Sequence, residues 1–180
     1  MAGFAPREQE ESVSVNYDLN PESLRRAFSG FPSGVAALCS TVGGQPEGIV
    51  ASSFTVGVSL DPPLVMFAIQ RTSKTWPVLR TSARIGVSIL GTGHEDACLQ
   101  IASKSADRFA GLDLHTTDGG SILLNDAALW LDCSVEREMP AGDHEVVLLR
   151  VHGASANEYG EDPLVYHRSA FHRLNAPSLV

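Results

Sequence analysis

A chain of 180 residues with 43% hydrophobic and 19% charged residues has the composition of one globular domain, long enough to enclose a core. Its net charge of −8 excludes a general affinity for nucleic acid, which needs clustered Lys and Arg to neutralise phosphates. No uninterrupted apolar run reaches the roughly 20 residues that span a bilayer, and the polar start from Met1 to Glu11 lacks the features of a secretory leader; no membrane partner and a cytoplasmic location are expected.

Residues 1–17 read as a flexible tail, residues 18–175 as one domain and residues 176–180 as a second tail. Asn20 can cap a helix that Pro21 opens and that runs to Phe28. The Gly30 to Gly34 break leads to a strand over Val35 to Thr41, and Gly43-Gly44-Gln45-Pro46 reads as a hairpin turn. The next β-run, Ile49 to Val58, carries the adjacent serines Ser52 and Ser53 where apolar alternation is expected. It stops at Asp61-Pro62-Pro63, which cannot continue a ladder, and Leu64 to Ile69 follows as another strand. Ser73 to Arg80 reads as a short helix, Ile85 to Leu90 as a buried strand, and His94 to Ser103 as a helix closed by Asp107 to Gly111. Three more strands are expected over Ala127 to Glu138, with Trp130 and Cys133 on opposite faces, Asp143 to His152, and Pro163 to His167. Many short strands with two or three helices predict a mainly β protein, a small barrel with helical covers rather than a βαβ sheet.

The chemistry-bearing motifs narrow the function by elimination first. Gly91-Thr92-Gly93 opens like a dinucleotide fingerprint, but position 96 is Asp, which would repel a pyrophosphate. Asp143-His144-Glu145 lacks the second histidine of a metalloprotease helix, and the six histidines show no metal-ligand spacing, so no metal is expected. There is no Gly-x-Ser-x-Gly elbow for a serine hydrolase. Cys39, Cys98 and Cys133 are too widely spaced for a zinc site and read as buried free thiols.

Several positive features remain. Ser52 and Ser53 put small hydroxyls where a flat, polar-edged ligand could approach. Ser73-Lys74-Thr75 at a helix start suits either an anion or a plain helix cap. Lys104-Ser105-Ala106-Asp107-Arg108-Phe109 reads as a solvated helix end or, beside a nucleotide, as phosphate pairing and ring stacking. His144 follows a tight turn at a strand mouth, either as a half-exposed turn residue or as a group facing a cofactor.

From about Leu24 to Leu174 the chain resembles the flavin reductase-like, FMN-binding split-barrel family, the short reductase components of two-component flavin monooxygenases. The resemblance rests on segments that come in the family's order. They begin with Phe28-x-x-Phe31-Pro32-Ser33-Gly34-Val35, Gly48-x-x-Ala51-Ser52-Ser53-Phe54 and Ser59-Leu60-Asp61-Pro62-Pro63-Leu64. Ser73-x-Thr75, Lys104-x-x-Asp107-Arg108-Phe109, Gly142-Asp143-His144 and Pro163-Leu164-Val165-Tyr166-His167 complete the series.

The resemblance implies a homodimeric split β-barrel with flavin (FMN or FAD) near the subunit interface. Pro32, Ser33 and Gly34 would line the flavin pocket, and Ala51, Ser52 and Ser53 would contact the isoalloxazine and ribityl groups. Ser73, Thr75, Lys104 and Arg108 would hold the phosphate, with Phe109 packed against the cofactor. His144, Tyr166 and Phe171 would border the nicotinamide, with His144 as the catalytic candidate. The implied activity is hydride transfer from NADH or NADPH to flavin, with reduced flavin passed to a separate oxygenase. A split-barrel oxidase with tightly held flavin and a non-enzymatic flavin carrier or sensor are the alternatives. Family members often carry glycine about five residues after the Gly-Asp-His histidine; Leu149 stands there in this chain, and its bulk is expected to narrow the pocket.

Overall fold

The computed structural model describes residues 13–104, 107–158 and 162–174. Residues 1–12 and 176–180 of the expected tails therefore lie outside the described residues, as do Ser105 and Ala106. The order of elements is α1 (Pro21–Phe28), β1 (Ser33–Gly34), β2 (Ala36–Val42), β3 (Gln45–Ala51), β4 (Thr55–Leu60), β5 (Pro63–Gln70), α2 (Trp76–Leu79), β6 (Ile85–Ile89), α3 (Glu95–Ala102), β7 (Leu114–Thr116), β8 (Ser121–Leu124), β9 (Leu129–Ala141), β10 (His144–Ala156), β11 (Leu164–His167) and β12 (Ala170–Arg173). A single 3-10 turn, Thr92–His94, precedes α3.

The start of α1 follows its sequence: the Asn20 side chain accepts from the amides of Glu22 and Ser23, and Pro21 stands at the first helical position. Antiparallel pairing then builds one large sheet in the order β4-β5-β10-β9-β6-β2-β8-β7, with β3 on the other edge of β2. The chain passes directly from β3 to β4, so the sheet curls back on itself into the expected split barrel. A small sheet, β1-β11-β12, sits beside it.

β2 is buried on both faces. Ala36 and Leu38 face the barrel interior with Phe67, Ile85, Val87, Val147 and Leu149. Val35, Ala37 and Cys39 face outward into a second core with Ile101 of α3, Ile122, Leu124 and Leu164. Trp76 and Leu79 of α2 plug the interior at one end, where the Trp76 indole donates to Glu138 Oε1 at 2.7 Å and Arg80 pairs with Glu138 at 2.9 Å.

One edge of β2 is shared by two strands. Leu38 pairs with Val87 of β6, but the next residue, Cys39, pairs with Ile122 of β8 instead of Gly86. Gly86 makes this fork possible, because a Cβ there would collide with Ile122 O. Three buried serines hold β8 in the fork: Ser40 Oγ donates to Gly120 O and Arg84 O, Ser88 Oγ accepts from the Leu124 amide, and Ser121 Oγ donates to Asp132. Each satisfies polar groups whose burial alone would cost about 1–3 kcal/mol.

Four expectations are corrected. The β-run from Ile49 to Val58 is two strands, broken by a bend at Ser52 and Ser53. Pro63 does join a ladder, as the first residue of β5 opposite Leu60, a position where the lost N–H is harmless. β12 follows Pro163 to His167, the strand read as the last, while β7 and β8 lie in a stretch for which no element was expected. Leu149 is fully buried in the barrel interior and lines none of the cavities described below, so it does not narrow the site.

Candidate flavin site

The bend between β3 and β4 is where two cavities meet. Ser52 is free of the ladder and exposed, whereas Ser53 is tied down: its hydroxyl donates to Ala68 O at 2.9 Å and accepts from Ala68 N at 3.0 Å. Thr55 is the first residue of β4 to pair with β5, opposite Met66, so the Ser53 side chain replaces the ladder two residues further along β5. This side chain bridges the barrel at its seam.

On one side of the bend lies a cavity of about 750 Å³ lined by Phe31, Pro32, Ser33, Gly34, Ser52, Ser53 and Tyr166, among others. Pairing of Ser33 with Tyr166 and of Gly34 with Val165 brings the Pro-Ser-Gly turn and the β11–β12 hairpin together at its wall. On the other side a cavity of about 590 Å³ is lined by Ala51, Ser52, Ser53, Ser73, Lys104 and His144, among others. Ladder pairing of His144 with Gln70 sets the histidine at the mouth of β10, beside the β5–α2 loop. His144 Nδ1 lies 2.8 Å from Asp143 Oδ1, and the hydrogen bond and charge of His144 hold the Asp143 carboxyl below its usual range. Lys104 has no ion-pair partner among the described residues, which leaves its ammonium available at the cavity.

Most of the expected site residues are therefore brought to this bend from separate parts of the chain: Pro32, Ser33, Gly34, Ala51, Ser52, Ser53, Ser73, Lys104, His144 and Tyr166. Phe171 joins them by stacking, its ring centroid 5.6 Å from that of Tyr166. Thr75 stands at the N-cap position of α2 without a side-chain cap bond and lines neither cavity; Ser73 Oγ accepts from the Trp76 amide, so part of the Ser-x-Thr motif serves the helix start. Arg108 also lies outside both cavities. Its guanidinium donates to Gly48 O, Ile101 O and Glu47 Oε2 at 2.9–3.1 Å, which anchors the end of α3 to β3. Phe109 packs in the outer core against Gly48, where a Cβ would approach the Phe109 ring to 2.9 Å. Sequence reasoning did not single out Phe31, Phe54, Gln70 or Thr72, which also line the cavities. Phe31 and Phe54 stand inside motifs already quoted, so they were visible in the pattern without being assigned a place.

The thiols take no part in this chemistry. Burial pushes Cys39 up to about 12, against a smaller opposing effect of Arg108, and pushes Cys98 up to about 11. Burial and the Asp132 charge push Cys133 up to about 12. All three stay protonated at neutral pH and are poor nucleophiles.

Known proteins share the sequence and fold of this chain. The family described as "Flavin reductase like domain" matches residues 28–175. The actinorhodin polyketide dimerase of Streptomyces coelicolor is 39% identical over 144 residues, covering 79% of this chain and 80% of that protein. A flavin reductase of Pseudomonas putida is 31% identical over 158 residues, covering 87% of this chain and 92% of that one. The solved NADH:FAD oxidoreductase of Streptomyces globisporus C-1027, in complex with NAD and FAD fragments, superposes with a TM-score of 0.83 at 30% identity, covering 93% of this chain and 100% of that chain. On sequence, fold and match length together, the chain belongs to the flavin reductase-like family.

Proposed function

We propose that this protein catalyses the reduction of flavin by NADH or NADPH and supplies the reduced flavin to a separate flavin-dependent monooxygenase. The observation that carries the reading is the pair of cavities sharing the Ser52–Ser53 wall, one flanked by Pro32–Gly34 and Tyr166, the other by Lys104 and His144. The donor set fits a flavin. Small side chains and a free Ser52 hydroxyl admit a flat ring with polar edges, and Lys104 supplies the cation that a phosphate end requires.

A flavin held between Ser52, Ser53 and Lys104 would supply the hydride-accepting chemistry, for which the chain need offer no nucleophile. The chain holds the two rings in contact and keeps water from between them. His144, held through Nδ1 by the Asp143 carboxylate, lines the cavity with Nε2 left to exchange the proton that accompanies the hydride. The activity is tested by anaerobic mixing with excess flavin and NADH. Bleaching over many turnovers, faster than without protein, is expected; bound flavin that neither nicotinamide bleaches would point instead to a carrier.

We further infer that the domain, residues 18–175, works as a homodimer. β4 is an edge strand with Val56, Val58 and Leu60 exposed at 55%, 40% and 89%, beside exposed Phe28 and Phe31 at the rim of the larger cavity. An apolar edge of this kind calls for a cover. No helix among the described residues is long and apolar enough to cross a membrane, and a cytoplasmic location is part of this reading. Sedimentation is expected to give twice the chain mass, and Val58→Lys to shift it toward the monomer.

A further inference from the structure

Among the described residues, β4 is the one sheet edge whose side chains offer no protection. None of the six residues Thr55–Leu60 is charged or proline, the usual defences of an edge. Its ladder is also broken on the inner side, because residues 56–58 stand opposite the single Val65 of β5, with Gly57 at φ +69°. The other edges are guarded. β3 carries Pro46 and gives its Gly48 carbonyl to Arg108, β12 ends in His172 and Arg173, and β1 and β7 have only two and three residues.

The segment that leads into α1 carries the complementary feature. Val13, Val15, Tyr17 and Leu19 alternate with Ser14, Asn16 and Asp18, the period of a half-buried strand. Yet these residues join no ladder in the chain, and the four apolar side chains are exposed at 66–97%. The segment stays beside its own helix. The Asp18 amide donates to Asn16 Oδ1 and the Asn20 amide to Asp18 Oδ1, and Asn16, Asp18 and Leu19 share a small cavity with Ser23, Leu24 and Arg26. Its length matches the edge, since seven extended residues span ~23–25 Å and six strand residues ~20 Å.

We propose that residues 13–19 of each subunit add as a strand to the free β4 edge of the other, so that the two copies exchange their N-terminal segments. The inference rests on the homodimer reading above. Backbone bonds along β4 supply the attachment, and the alternating side chains bring one apolar face to an edge that exposes Val56, Val58 and Leu60. The second copy is the occupant because, within one chain, the segment lies against α1 and leaves β4 bare.

Two full-length variants test the exchange, both altered only at exposed positions: Val15→Asp with Tyr17→Asp, which spoils the segment, and Val58→Lys, which spoils the edge. Sedimentation would give the dimer dissociation constant, and hydrogen exchange read by mass would follow the β4 peptide. Each variant alone is expected to raise that constant about tenfold or more and to expose the β4 amides. Mixing the two variants is the deciding step. The Val58→Lys copy keeps a sound segment and the other copy a sound edge, so the peptide that retains Val58 should regain its protection. Its mass separates it from the peptide carrying the lysine. A wild-type dimer whose affinity and β4 exchange are unchanged by the segment variant would overturn the exchange and leave the dimer standing. Protection lost in the variant but not regained on mixing would also overturn it, giving each edge to its own chain's segment. Wild-type protein that sediments at the mass of one chain would bring down the dimer reading itself, and this inference with it.

Discussion

The hydroxyl of Ser53 both donates to and accepts from the Ala68 backbone, while that of its neighbour Ser52 opens onto the cavities. Substitutions should therefore separate the two. Ser53→Ala removes the bridge at the seam and is expected to lower stability by about 1 kcal/mol, read from the urea midpoint, with water replacing part of what is lost. Ser52→Trp should leave the midpoint nearly unchanged and abolish flavin binding; unchanged affinity would remove Ser52 from the site. At His144 the expected split is kinetic. His144→Ala should slow flavin reduction by about tenfold to a hundredfold while altering the flavin dissociation constant little. Equal rates would return the histidine to a turn residue. Asp143 acts through His144. Its depressed carboxyl makes the bond a contribution present above the ordinary carboxylate range and lost as pH falls through the lower, folded value.

At the scale of elements, the fork in β2 concentrates the most sensitive backbone contact. A methyl group at Gly86 would run into the Ile122 carbonyl and carbonyl carbon, and neither can move without lifting β8 from the sheet. Gly86→Ala is expected to cost about 3 kcal/mol or more, seen as a lowered melting temperature. Gly44→Ala, in open space at a turn with φ +78°, should cost less, through backbone strain alone. The fork also marks what the sequence could and could not disclose. Local signals were enough for α1, with its Asn20 cap and Pro21, and for the Gly43-Gly44 hairpin, because capping and turn chemistry act over a few residues. The three-residue β7 and four-residue β8 carry too few residues to show a period, and their partners lie far away in the chain. Ser52 and Ser53 were legible as a candidate site, and the structure sets both on cavity walls, but they were not legible as a break, because Phe54 to Val58 resumes the apolar pattern. Arg108 shows the same limit in its chemistry. A cation beside Lys104 reads locally as a second phosphate ligand, but its partner is Glu47, 61 residues away.

For the molecule as a whole, pH sensitivity at the alkaline end follows from its cores. The ordinary thiol value is 9.0, whereas the folded thiols of Cys39, Cys98 and Cys133 lie near 12, 11 and 12. Their stabilisation is intact below 9.0. As pH rises above it, the unfolded chain releases protons that the folded chain keeps, and stability falls until the folded values are passed. Urea midpoints should decline between about pH 8 and about pH 10.5, and less steeply in Cys133→Ala than in the wild type. A parallel decline would assign the effect to other groups. A different consequence follows from the seam. Neighbouring strands elsewhere in the barrel are joined by backbone ladders, but between β3 and β5 two bonds from one side chain, that of Ser53, bridge it, and the candidate site lies along that line. A ligand lying across the bend would act as a clasp, touching both lips of the opening. The Ala68 amide, bonded to Ser53, would then exchange its hydrogen with solvent more slowly when the clasp is fastened, so occupancy could be watched from the backbone without following any chemistry.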